Sequence, residues 1–270
     1  MSKFNKGYGG LETQNKVLCE GLARRGHEIV VFSPTRNTVI GRDESLKGEA
    51  ISSGSPRLAR DDNGVKYVFV PCVYRMIFAS LDKNNWVNRS YQEFLKYHKE
   101  KPFDVVLSQS SAGLGIIKKK RELGIKIVGI SHGTIGGEMK TLVNSAKNPV
   151  DLARSTKSLV FGLANYFGRQ RQYIHGCTKI VAVSNAVKEA IVDETFAPAE
   201  KITVIHNGIN GSKIPQKDWN SFKIGEPFKV LYIGRIEESK GLRELLLACK
   251  EQDGIFVNIV GDGPFLEELK

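Results

Sequence analysis

The sequence predicts an α/β protein built on doubly wound parallel sheets, and three observations carry that prediction. Apolar runs of five or six residues alternate with amphipathic stretches along most of the chain. Several of these runs are continuous rather than alternating, which fits strands covered on both faces. The helical stretches stop at glycine and the strands open into polar loops, the punctuation expected of repeated strand–helix units.

The elements follow in order. Lys6-Gly7-Tyr8-Gly9-Gly10-Leu11-Glu12 is a glycine-rich turn running into a helix over 11–25. Leu11, Val17, Leu18 and Leu22 give that helix its apolar spacing, and Gly26 ends it. Residues 1–6 carry no β-branched or apolar run that would place a strand before the turn. A buried strand is expected over 27–32, a long connection rich in Gly, Ser, Arg and Asp over 35–64, and a second strand over 65–71. Then come a helix over 86–99, a strand over 103–107, a helix over 112–123 ended by Gly124, and a strand over 125–130. A long helical stretch over 149–174 precedes a strand over 179–183, a helix over 185–192 and a strand over 202–205. Residues 210–227 lack periodicity and hold two prolines, Pro215 and Pro227, which marks a linker. The pattern restarts with a strand over 229–233, a helix over 242–250, a strand over 255–260, the turn Gly261-Asp262-Gly263-Pro264 and the beginning of a helix. We therefore expect a first domain over 1–212, a linker over 213–227, and a second domain over 228–270. Two strands bury too little surface for a stable α/β domain, so the second is expected to be incomplete.

Composition narrows the class. A chain of 270 residues, 41% hydrophobic and 26% charged, is ordinary for a soluble protein with a sizeable core. Cys19, Cys72, Cys177 and Cys249 are widely separated with no C-x-x-C pair, which argues against a disulfide framework or zinc site and for a reduced, cytoplasmic compartment. No apolar run resembles a signal peptide or approaches the ~18 residues that cross a bilayer. The net charge of +11 is concentrated: residues 110–190 hold thirteen Lys and Arg against four Asp and Glu. That region either grips an anionic partner or forms a solvated helix face. It has no helix-turn-helix, zinc finger or aromatic-rich RNA-binding sheet, so nucleic acid is not expected. The stretch 149–174 interleaves Val160, Phe161, Leu163 and Phe167 with Arg and Lys, which suits the surface of an anionic membrane.

In such folds ligands bind beyond the C-terminal ends of the strands. Ser131-His132-Gly133 lies there, although a lone histidine is more often structural than catalytic. Arg235 and Lys240 flank the loop Gly234 to Gly241 before a helix N-terminus, where two cations would clamp a diphosphate. Read alone, they could equally be surface partners of Glu237 and Glu238. Asn207-Gly208 and Gly261-Asp262-Gly263-Pro264 are turn signals when isolated. The chain holds no P-loop, nucleophile elbow or H-E-x-x-H helix.

Taken in order, these fragments resemble a known family. Gly9-Gly10-Leu11-Glu12, Ser131-His132-Gly133, Val181-Ala182-Val183-Ser184-Asn185-Ala186-Val187, Val204-Ile205-His206-Asn207-Gly208-Ile209, Gly234-Arg235 with Lys240-Gly241, and Val260-Gly261-Asp262-Gly263-Pro264 look like the successive motifs of family 4 retaining glycosyltransferases. The resemblance runs over nearly the whole chain. It implies the GT-B fold, two Rossmann-like domains facing across a cleft, with acceptor on the first and a nucleotide-diphosphate-sugar donor on the second. It implies sugar transfer with retention in cell-envelope polysaccharide or glycolipid synthesis, onto a glycan, lipid-linked or small-molecule acceptor; the expected location is cytoplasmic, with the basic region 110–190 able to meet the inner face of a membrane.

Carried over residue by residue, the resemblance places Gly9 and Gly10 near the donor diphosphate, Glu12 on the acceptor side and His132 beside the donor sugar. Arg235 and Lys240 neutralise the leaving diphosphate, Gly261, Asp262, Gly263 and Pro264 line the nucleotide pocket, and Ser184, Asn207 and Gly208 are structural motif positions. No metal or other cofactor is expected, because side chains supply the charge. Two family features have no counterpart: a strand before the glycine-rich loop, and a later pair of glutamates spaced E-x-x-x-x-x-x-x-E, for which the adjacent Glu267 and Glu268 cannot stand in. The expectation is thus a fragment cut at both ends, with weak or no turnover alone. The competing readings are another GT-B enzyme, an epimerase or phosphorylase, and a non-catalytic anion- or membrane-binding protein.

Overall fold

The computed structural model describes residues 10–36, 57–60, 64–72, 79–144, 162–209, 211 and 227–269. They fall into two compact units, one within 1–136 and 162–210, the other within 137–161 and 211–270.

The first unit opens with α1 (Gly10–Arg24), stopped as expected by Gly26, whose φ of 87° is open to glycine. Strand β1 (Val30–Arg36) pairs in parallel with β3 (Lys66–Cys72), and β2 (Arg57–Arg60) pairs antiparallel with β3. Strand β1 begins three residues later than predicted and runs through Pro34; its only strand partner among the described residues is β3, which leaves room for a residue without an N–H. The expected connection over 35–64 contains β2, a strand of four residues with arginine at both ends that gives no alternating signal.

Helix α2 (Ala79–Glu100) leads to β4 (Val105–Gln109). The helix predicted over 112–123 is three pieces: a 3-10 turn (Ser110–Gly113), α3 (Leu114–Lys118) and α4 (Lys120–Leu123). The break falls at Lys119, with φ −105° and ψ 8°, and Gly124 closes α4 at φ 62°. Strand β5 (Lys126–Ser131) is followed by an unpredicted helix, α5 (Ile135–Asn144), whose paired glycines Gly136 and Gly137 hide the helical signal. Of the stretch expected to be helical over 149–174, residues 149–161 lie outside the described ones. Its end is helical through a π turn (Tyr166–Gln170) into α6 (Arg171–Gly176). Strand β6 (Lys179–Ala182), α7 (Asn185–Thr195) and β7 (Ile202–Val204) complete the unit.

Strands β4, β5, β6 and β7 form a parallel sheet in that order. Among the described residues β4 pairs only with β5 and β1 only with β3, so this unit carries two separately hydrogen-bonded sheets where the periodicity predicted one. The main core joins α2, α3, α6 and α7 to the four-stranded sheet through Phe94, Ile117, Ile127, Ile174, Ile180 and Ile191. Phe32 of β1 packs on its edge, 6.3 Å from both Phe94 and Phe103 between ring centroids. Cys177 is buried, which pushes its thiol up to about 12 and makes it inert.

The second unit holds α5 from Gly137 onward together with β8 (Phe228–Ile233), α8 (Leu242–Lys250), β9 (Ile255–Val260) and α9 (Leu266–Leu269). β8 and β9 are parallel neighbours, and one face packs Tyr232 and Ile259 against Ile236, Leu242 and Phe265. The opposite face exposes Leu231, Ile233, Phe256 and Val260. Among the described residues no helix is long and apolar enough to cross a membrane.

Candidate functional site

Because β4 to β7 are parallel, the residues that follow them meet along one edge of the sheet. His132 comes directly after β5, and its Nε2 lies 2.9 Å from Oε1 of Gln109, the last residue of β4. That oxygen can only accept, so Nε2 carries the ring proton and Nδ1 is the acceptor of the neutral imidazole. Burial disfavours the charged ring and lowers the pKa of His132 below the ordinary 6.5. Ser131 bridges over the histidine, its Oγ donating to the Gly133 carbonyl at 2.9 Å.

The strand ends beneath this pair are tied by Tyr173 of α6. Its hydroxyl is 3.0 Å from the Ile130 carbonyl of β5 and 3.1 Å from the Ser108 carbonyl of β4. Burial raises that hydroxyl's pKa, so it stays a donor. At the next loop Ser184 caps α7, its Oγ accepting from the Val187 amide at 3.2 Å. His206 reaches back to the Val183 carbonyl at 3.1 Å, which brings the loop of Asn207 and Gly208 beside Ser184. Both Asn207 and Gly208 are exposed.

Gly10 is the first residue of α1, and a Cβ there would meet no atom within 4 Å among the described residues. Glu12 lies in the same helix. Gly9 lies outside the described residues.

In the second unit the loops after β8 and β9 are knit together by backbone. Gly234 N–H donates to Val260 at 3.0 Å, Ile236 N–H to Asp262 at 2.9 Å, and Phe265 N–H to the Ile236 carbonyl at 3.2 Å. A Cβ at Gly261 would collide with the Gly234 carbonyl, and one at Gly263 with the Ile236 carbonyl. Asp262 accepts from the Gly263 amide at 2.8 Å, and Pro264 follows in the same turn. Arg235, mostly exposed, is ion-paired with Glu237, as the surface-pair reading expected. Lys240 ends a 3-10 turn (Glu238–Lys240) just before Gly241, which starts α8 at φ 70° and, as glycine, supplies no side-chain cap.

Residues that the sequence reading missed complete the picture. Gln109 sits at a strand end and was open to the same argument that selected His132. Tyr173, Gln170 and Glu194 were not, since each lies far along the chain from the residues it holds.

The sequence model of glycosyltransferase family 4 matches residues 8–213. The chain belongs to that family. The family 4 chain is 24% identical over 219 residues to the capsular polysaccharide biosynthesis glycosyltransferase CapM of Staphylococcus aureus, covering 77% of this chain and 51% of CapM. It is 23% identical over 277 residues to the alpha-monoglucosyldiacylglycerol synthase of Streptococcus pneumoniae, covering 97% and 54%. It thus spans about half the length of these curated relatives. Among solved structures it resembles the lipopolysaccharide outer core galactosyltransferase WaaB, with TM-score 0.53 and 16% identity over 97% of this chain and 60% of that one. It also resembles the catalytic domain of starch synthase IV from Arabidopsis thaliana bound to ADP and acarbose, with TM-score 0.61 and 12% identity over 99% and 68%. At these identities the likeness shows the GT-B fold alone.

Proposed function

We propose that this chain belongs to a retaining glycosyltransferase that moves a sugar from a nucleoside-diphosphate donor to a glycan or lipid-linked acceptor in polysaccharide or glycolipid synthesis. The observation that carries the reading is the Gln109–His132 pair at the C-terminal edge of a parallel sheet in a family 4 chain. The first unit takes the acceptor and places neutral His132 beside the donor sugar. The second takes the diphosphate, with Arg235 and Lys240 facing the leaving group and the turn from Gly261 to Pro264 lining the nucleotide. Breaking a glycosyl–phosphate bond builds negative charge on the diphosphate, so fixed cations there favour the transition state over the ground state without a metal. Among the described residues no atom lies within 4 Å of a Cβ built on Gly10, so the backbone at the start of α1 can approach a donor phosphate.

One further feature supports contact with an anionic membrane. Phe167 and Phe196 are 62% and 75% exposed, and the Arg171 guanidinium lies 5.5 and 5.4 Å from their ring centroids. An exposed aromatic pair around a cation suits the interface of an anionic bilayer and an acceptor held there. Other basic residues in the region are spent within the protein: Lys120 Nζ donates to the Gly176 carbonyl at 3.3 Å and Lys179 Nζ to the Glu200 carbonyl at 3.1 Å.

The test is titration of the 15N-labelled chain with uridine, adenosine and guanosine diphosphates. Amide shifts are expected between Gly234 and Gly241 and at Gly261 and Gly263, and their absence with all three would overturn the donor assignment. In turnover assays the product keeps the donor's anomeric configuration, and an inverted product would rule out retention.

A further inference from the structure

The segment carrying His132 is anchored at its far end by a carboxylate from another element. Glu194 sits in the last turn of α7, a position where negative charge opposes the helix dipole. Its Oε1 accepts from the Thr134 hydroxyl at 2.7 Å, and its Oε2 accepts from Gln170 Nε2 at 2.7 Å and from the Gly136 amide at 3.2 Å. Gln170, itself buried, turns its Oε1 to the Ile135 amide at 2.7 Å.

Two of the first amides of α5, which no partner within the helix can satisfy, are thus held by a carboxylate and an amide side chain. A Cβ on Gly136 would collide with the Glu194 carboxylate, so glycine there leaves the space this contact needs. The acid costs its own helix a favourable end charge and supplies one to α5 instead. Between β5 on one side and this clasp on the other, Ser131 to Thr134 has little freedom, and His132 is its midpoint.

We propose that Glu194, with Gln170, is a positioning residue for His132: it pins the segment 131–136 so that the imidazole meets Gln109. The functional meaning rests on the reading of His132 given above, but the test reads the segment without substrate, so the two fail separately.

The experiment compares the wild-type chain with Glu194→Ala and Thr134→Val by NMR. Amide exchange at Ile135 and Gly136 is expected to rise roughly tenfold or more in Glu194→Ala, since a partly buried charge-assisted hydrogen bond is lost. The His132 ring titration is expected to move back toward that of an exposed histidine, while amide exchange in α2 is unchanged. Thr134→Val removes one donor at nearly constant volume and shifts His132 less, in the same direction; it carries the test if Glu194→Ala does not fold. An unchanged His132 titration in the folded variants overturns the proposal. So does an equal rise of amide exchange in α2, which would mean a merely structural role.

Discussion

The Tyr173 hydroxyl lies 2.6 Å from the point where a Cβ on Gly129 would project, so the tyrosine ties β4 to β5 only because β5 has glycine beneath it. Gly129→Ala is expected to displace the ring and destabilise the first unit by about 1–3 kcal/mol. Tyr173→Phe, which removes a buried donor from two carbonyls, is expected to cost about 1 kcal/mol or more. Urea unfolding of both variants checks this, and a cost from Tyr173→Phe without one from Gly129→Ala would contradict the packing.

The lowered pKa of His132 fixes the sign of a pH effect. In the folded chain the ring resists protonation, whereas in the unfolded chain it takes up a proton near 6.5. Its contribution is therefore present above that pH and is lost as pH falls through the window beneath it. Urea midpoints of wild type and His132→Gln should converge or cross on going from roughly pH 7.5 to roughly pH 5.5. Midpoints that stay a constant distance apart would argue against a desolvated ring.

Arg235→Ala and Lys240→Ala are each expected to weaken nucleoside diphosphate binding about tenfold, the scale of a charge-assisted contact. Monophosphate binding should change less. Because the Arg235–Glu237 pair is largely exposed, Arg235→Ala should alter stability by less than about 1 kcal/mol. Calorimetry with and without EDTA gives the same affinities if side chains alone supply the charge, and a loss on chelation would show a metal at work.

Phe196 adopts φ 57° while three-quarters exposed, an uncomfortable backbone for an aromatic residue. Phe196→Gly should relieve that strain and hold or raise stability by up to about 1 kcal/mol. The same change, like Phe167→Ala, should reduce co-sedimentation with anionic but not neutral vesicles. Binding that is insensitive to salt and to both substitutions would remove the membrane role from this surface.

What the sequence made legible follows the physics of each element. β5 was readable because Ile127, Ile130 and Ser131 are buried along an unbroken run, and α8 because its amphipathic spacing is intact. β2 was not, since four residues with arginine at each end carry no period. α5 was hidden by Gly136, whose missing side chain makes sense only once Glu194 is seen filling the space. His132 was found by its place after a strand, but its partners were not: Gln109 stands 23 residues away, and Thr134 and Glu194 are separated by 60. Side-chain pairs at such distances leave no mark on local pattern.

The fit of Gly261 against the Gly234 carbonyl, and of Gly263 against Ile236, has a consequence for interpreting relatives of this chain. Two motifs that look like independent ligand signatures are two halves of one backbone joint. Relatives that have changed donor sugar or base should keep both glycines as long as the joint survives, so their presence reports folding of the unit and says nothing about specificity. Variation that tracks donor choice should be sought in side chains around the joint, beginning with Arg235 and Lys240, whose side chains take no part in these backbone contacts.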